Sequence, residues 1–194
     1  MELWELIARE SIRDLVARYN ANGDSGRFDQ VLALFAPDAV METDGEVHVG
    51  HEEIRTIFTG AAEAARRWPQ PVAMRHSTST LQIDVAGPTE ASSRAYYQVV
   101  TSHGLDHWGR YLDTYCVRAG KWLFAHRREF VDGTVPGSWA VFAMAQERYE
   151  RIRKGRDDVG GKEDPGLGGG RADRVAPLRV PGAAERGVGR GALQ

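Results

Sequence analysis

The sequence predicts an α+β domain in which helices cover one face of a curved antiparallel sheet. Two observations carry this. Apolar residues recur three and four apart through the first third of the 194-residue chain, whereas from Val72 to Val131 the period is two, with turn residues between the runs. Helices segregated ahead of hairpin-linked strands define the class, and a sheet curled around a helix leaves a pocket at its open end.

Met1 to Tyr19 reads as mostly helical, with Ile12, Leu15, Val16 and Tyr19 on one stripe and Leu3 and Trp4 free to pack on the domain body or a partner subunit. The polar run NANGDSG, Asn20 to Gly26, ends that helix. Asp24 or Ser25 could then cap a second helix with Val31, Leu32, Leu34 and Phe35 on its apolar face, stopped by Ala36-Pro37-Asp38. Short strands over Ala39 to Thr43 and Glu46 to Val49 flank the hairpin signal Asp44-Gly45. Gly50 to Arg67 is helical again, with Ile54, Ile57, Phe58, Ala61 and Ala65 on one side, until Trp68-Pro69-Gln70-Pro71 breaks it.

Four long strands follow: Val72 to Val85, Glu90 to Ser102, Trp108 to Arg118 and Lys121 to Val131, separated by Ala86-Gly87-Pro88, His103-Gly104-Leu105-Asp106 and Ala119-Gly120. Val141 to Ile152 is a last helical pattern. Residues 1–155 are expected to form the domain and 156–194 a disordered tail. From Arg151 onward the chain holds 11 of its 22 Gly and almost no aromatic residues, too little apolar surface to offset the entropy of ordering.

Composition excludes several classes. At 42% hydrophobic the chain can hold one globular core. No run of about 20 apolar residues is present and the N-terminal MELWELIARE is charged, so a cytoplasmic protein is expected. A formal net charge of -2 gives no general attraction to nucleic acid or membrane. Cys116 is alone, and His103 and His107, four apart in a strand context, do not share a helix face, so no metal site and no cofactor are expected.

The element order, the FAPDAV segment and the aromatic-rich GRYLDTYCVRAGKWLFAHRR together resemble the SnoaL-like branch of the nuclear transport factor 2-like superfamily, over roughly Leu3 to Asp132. The resemblance implies a cone: a bent sheet wrapped around helices. Within that branch scytalone dehydratase, hexachlorocyclohexane dehydrochlorinase and bile acid 7α-dehydratase use an Asp-His dyad inside the cone. Asp24 falls where the dyad Asp lies and His76, in MRHSTSTLQI, where the His lies. Tyr19 corresponds to a Tyr five residues before that Asp, and Arg127 matches an active-site Arg of the dehydrochlorinase. Two departures stand out: an Asn common four residues after the His is Thr80 here, and Arg127 competes with Arg128, which on a strand faces the other way.

Metal-free elimination needs a neutral base held in one tautomer, and an imidazole oriented by a carboxylate meets that need. His76 would be the base and Asp24 its partner, although each also fits an ordinary strand or turn residue. Tyr19 and Arg127 are candidate donors to a leaving hydroxide or enolate oxygen. Tyr97, Tyr111 and Tyr115 read as sheet residues, Trp108, Trp122 and Trp139 as core or interface residues, and the pairs at 66–67 and 127–128 as solvated charges or salt-bridge partners. The expected function is that of a cofactor-independent lyase or isomerase, of dehydratase or polyketide-cyclase type, acting on a hydrophobic ring-bearing small molecule. The alternatives are a non-catalytic ligand-binding or dimerising domain, and the small subunit of a ring-hydroxylating dioxygenase. A homodimer or homotrimer is expected, because the outer sheet face is left uncovered.

Overall fold

The first helix, α1 (Leu3–Gly23), buries Ile12, Leu15, Val16 and Tyr19, the stripe that the period of 3.6 selects. These details come from a computed structural model, which describes residues 1–43, 45–69 and 73–145. Asp44 of the hairpin signal, the far part of the last helical pattern and the proposed tail at 156–194 lie outside them.

The helix α1 runs through NANG instead of ending at Tyr19. Asn20 is 9% exposed and turned inward, and its carbonyl accepts the Asp24 N–H at 2.9 Å, so the helical ladder continues one more turn. Neither Asp24 nor Ser25 caps the next helix, α2 (Phe28–Leu32). Its N-cap is Arg27, without a side-chain bond, while the Ser25 hydroxyl donates back to the Ala21 carbonyl at 2.7 Å.

The second correction concerns FAPDAV. Leu34 and Phe35 do not extend α2, because β1 (Phe35–Thr43) begins at Phe35, which pairs in parallel with Phe124. The Leu34 carbonyl accepts the Phe124 N–H at 2.9 Å. Pro37 falls in the irregular register between Phe35 and Val40, where a missing N–H costs no ladder bond.

From there β2 (Glu46–Val49) and α3 (Gly50–Arg67) match the periodicity. Glu52 and Glu53 in the first turn of α3 and Arg66 and Arg67 in its last suit the helix dipole. Glu53 accepts the Val49 N–H at 2.7 Å, and Trp68, which precedes Pro69, turns extended and ends the helix.

The long strands are β3 (Arg75–Gly87), β4 (Glu90–Thr101), β5 (Gly104–Arg118) and β6 (Lys121–Thr134). All six strands form one open curved sheet in the order β2-β1-β6-β5-β4-β3, antiparallel except for β1 beside β6. Register shifts at Ser79/Gln82, Val99/Val100, Trp108/Gly109 and Thr114/Tyr115 supply the curvature, since each bulge bends and twists its strand. At one of them Gly109 is required: a Cβ there would lie 1.8 Å from the Phe130 carbonyl oxygen and 2.8 Å from the Tyr97 hydroxyl.

The concave face packs on α1, with Ile12, Val31, Phe35, Met41, Ile54 and Phe124 at 1% exposure or less. Burying each such side chain contributes about 1.5–3 kcal/mol. Residues 139–145 add a helical turn that packs Trp139, Ala140 and Ala143 against Ala64 of α3. Among the described residues no helix is long and apolar enough to cross a membrane.

Candidate active site

Between the inner sheet face, the end of α1, α3 and the 139–145 helix lies a cavity of about 960 Å³. Asp24 and His76 meet at its wall. The C-cap of α1 places Asp24 beside the first residues of β3, where its Oδ2 accepts the His76 backbone N–H at 2.9 Å and its Oδ1 accepts the ring Nδ1–H at 2.6 Å. With Nδ1 donating, the ring is held in the tautomer whose Nε2 carries a lone pair. The His76 side chain keeps 24% exposure, and both residues line the cavity.

One helical turn earlier the same two elements are joined again. Asn20 Nδ2 donates to Thr78 Oγ1 at 2.6 Å, and Thr78 stands two residues beyond His76 on the same strand face. Two crosslinks therefore fix how α1 meets β3. Thr80, at the position where the family often carries Asn, is exposed, with φ +52° in the bulge of β3, so it has no place in the cavity.

Tyr19 lines the cavity at 7% exposure, but Arg127 is not part of the lining. Arg127 lies beneath it, fully buried, with Nε and Nη2 donating to the two carboxylate oxygens of Asp113 at 2.9 and 2.8 Å. The guanidinium is caged by the rings of Tyr19, Tyr111 and Phe124 at 3.9, 4.2 and 4.2 Å. Burial alone would lower its pKa, yet the Asp113 charge and hydrogen bonds outweigh that and hold it raised. Of the 127–128 pair, Arg127 is thus a salt-bridge partner and Arg128 is exposed. Burial pushes the Tyr19 phenol well above its ordinary value, with Arg127 opposing and Glu129 adding, so the hydroxyl keeps its proton.

Sequence reasoning missed a second Asp-His pair. The segment read as the His103 to Asp106 loop is strand from Gly104, and Asp106 is the extra residue in the bulge where Val99 faces His107 and Val100 faces Leu105. Neighbours on a regular strand face opposite ways, but across this bulge both are buried, at 6% and 5% exposure. Asp106 accepts His107 Nδ1–H at 2.8 Å, the Ser138 hydroxyl at 2.7 Å and the Trp139 and Ala140 N–H groups at 2.8 and 3.3 Å, capping the 139–145 helix. Burial raises its pKa, but the bonds from Ser138, Trp139, His107 and Ala140 outweigh this and hold the carboxyl below the ordinary value. His107 lines the cavity with its ring edge-on to His76, centroids 6.4 Å apart.

The tyrosines divide by depth. Tyr111 lines the cavity and stacks on Tyr97 at 4.4 Å, while Tyr115 hydrogen-bonds Ser93 and Asp113 in the core. Trp139 is buried at the cavity edge, and Trp108 is 39% exposed on the outer face. Among the described residues no group of three or more His, Cys, Asp or Glu could hold a metal ion.

Comparison with known proteins agrees with this architecture. The model of the SnoaL-like domain matches residues 4–128. A candidate scytalone dehydratase from Novosphingobium aromaticivorans superposes with a TM-score of 0.61 at 20% identity, over 70% of this chain and 91% of that one. The hexachlorocyclohexane dehydrochlorinase LinA-type3 from Novosphingobium barchaimii gives 0.59 at 16% identity, over 70% and 93%. A Nostoc punctiforme protein of unknown function with a cystatin-like fold gives 0.58 at 25% identity, over 66% and 93%. No curated protein matches the sequence. With a matched model spanning most of the α1–β6 domain and a curved sheet of the same architecture, the chain belongs to the SnoaL-like domain family.

Proposed function

We propose that this protein is a cofactor-independent lyase or isomerase, of dehydratase or cyclase type, that removes a proton from a hydrophobic ring-bearing substrate held in the cavity. The observation that carries the reading is the pair of hydrogen bonds from His76 to Asp24, which leaves Nε2 as the unclaimed nitrogen of a cavity-lining ring. A carbon acid beside a carbonyl would lose its proton to Nε2, and the imidazolium so formed is stabilised by the Asp24 carboxylate 2.6 Å away. The electron pair of the broken C–H bond moves onto the carbonyl oxygen as an enolate, and its return forms a C=C bond as the leaving group on the β carbon departs with the pair of its own bond.

Tyr19 is the proposed donor to the developing oxygen anion. Arg127 supports it from below as a positioning residue, through the ring face, because its bidentate edge is engaged by Asp113. The dehydratase and dehydrochlorinase names of the structural neighbours point to the same class of proton abstraction. The cavity alone would equally suit a binding protein, and the dyad is what favours catalysis.

A panel of hydroxylated polycyclic and steroid-like ketones is the place to look for turnover. His76→Ala and Asp24→Asn are each expected to lower the chemical step about 10²- to 10⁴-fold with binding largely kept, and the double variant to be little worse than either. Turnover indifferent to His76→Ala would leave the cavity with a binding role.

We also propose a homodimer formed through the outer sheet face, where Tyr96, Val100 and Trp108 are exposed. A monomer by light scattering at micromolar concentration would overturn that.

A further inference from the structure

Glu129 stands on β6 between Arg127 and Val131 and shares their inward face, with Tyr111 as its cross-strand partner on β5. It lines the cavity. Of the other acidic side chains that line it, Asp24 holds His76, Glu46 is engaged and Glu63 is exposed on α3, while Asp106 and Asp113 nearby hold His107 and Arg127. Glu129 forms no hydrogen bond or ion pair with any described residue. Its influence is felt by the two phenols beside it, since after burial its charge is the next cause that raises Tyr111, and it also raises Tyr19.

A carboxylate accepts hydrogen bonds and cannot donate them when ionised. In an empty cavity water can serve it, but a ring ligand that fills the space removes that water, and an unserved buried charge is costly. A bound ligand must therefore bring its own donor to this wall. A ligand carboxylate placed there would meet a like charge across little screening.

We infer that Glu129 is the specificity-determining residue of the cavity, selecting ring compounds that present a hydroxyl donor to the β5–β6 wall and rejecting ring carboxylates of the same size. This rests on the cavity being the substrate site, but not on His76 being the base. It also separates the two ends of a bound ring: the hydroxyl is anchored beside Tyr111 while the acidic carbon is presented to His76.

The test is fluorescence titration at neutral pH with 2-naphthol and 2-naphthoate, which share one ring system. The unmodified protein is expected to bind 2-naphthol about tenfold more tightly or better, because a site built around one polar group rejects the analogue that leaves it unpaired. Glu129→Gln should bring the ratio close to one by weakening 2-naphthol and strengthening 2-naphthoate. His76→Ala should keep the ratio, so loss of the base and loss of selectivity fail separately. Where Glu129→Gln lowers the melting temperature, Glu129→Ala repeats the measurement with the charge removed and room left for water. A ratio that survives both substitutions, or a preference for 2-naphthoate in the unmodified protein, overturns the inference. Binding of neither probe overturns it together with the reading of the cavity as the substrate site.

Discussion

Arg127–Asp113 and Asp24–His76 are both two-point, charge-assisted pairs, yet they stand at different depths. Arg127 and Asp113 are 0% and 3% exposed, and both oxygens of the carboxylate are taken by one guanidinium. The His76 side chain keeps 24% exposure and one ring nitrogen outside the pair. An Arg cannot give up its proton near neutrality, and a caged one meets no ligand, so the deep pair can only hold the walls together. The shallow pair combines an imidazole, which has a nitrogen able to accept a proton, with an open face, which is what proton transfer needs. Depth, more than residue type, separates a supporting pair from one that a ligand can reach.

The sharpest break of that comparison is functional. The dyad variants are expected to lose turnover by the amount given above and to keep their melting temperatures within a few degrees, since neither residue belongs to the apolar core. Arg127→Ala should do the reverse and destabilise the domain by about 3–5 kcal/mol, because Asp113 is left as a buried unpaired charge. Chemical denaturation checks this. The paired change Arg127→Met with Asp113→Leu should recover most of the loss, and a double variant as unstable as Arg127→Ala would show that the cage depends on the charges themselves.

Asp106 lies between these extremes. Asp106→Ala leaves the His107 ring, the Ser138 hydroxyl and the Trp139 N–H without their acceptor, so a loss of about 1–3 kcal/mol is expected in the same assay. Its sign with pH follows from the lowered pKa. The contribution of a depressed carboxyl is complete above the ordinary aspartate value of 3.8 and disappears as pH falls through the lower folded value. Acid titration of stability should therefore show a step below about pH 4 that Asp106→Asn removes.

The smallest effect concerns residues 156–194, proposed as a dispensable tail. Their deletion should leave the melting temperature unchanged, and a drop of more than a few degrees would assign them to the fold.

Part of the candidate site was legible because it sits in strongly patterned segments. The stripe Ile12, Leu15, Val16, Tyr19 orients α1, and that orientation delivers Asp24 to β3, so the two residues singled out by resemblance lie 2.6 Å apart. The second pair was not legible, since Asp106 and His107 are neighbours that a regular strand would send to opposite faces, and a bulge is what brings both inward. Arg127 and Arg128 look alike as a dipeptide. Only the register of β6 against β5, which places Arg127 opposite Asp113, decides which of them is buried.

The sequence by itself determined the fold class and the order of helices and long strands, because periodicity and turn chemistry are set by residues close in the chain, while Asp24 and His76 were singled out by resemblance. Tertiary structure decided the rest. The chain turns from helix to strand at Phe35 because Phe124, far along the chain, supplies a donor for the Leu34 carbonyl and a parallel partner for Phe35. Helical and extended states of Leu34-Phe35 satisfy local preference about equally, so a distant hydrogen-bonding edge settles the choice. The same holds for Glu129, which is one more strand carboxylate until the curved sheet turns its face toward the cavity.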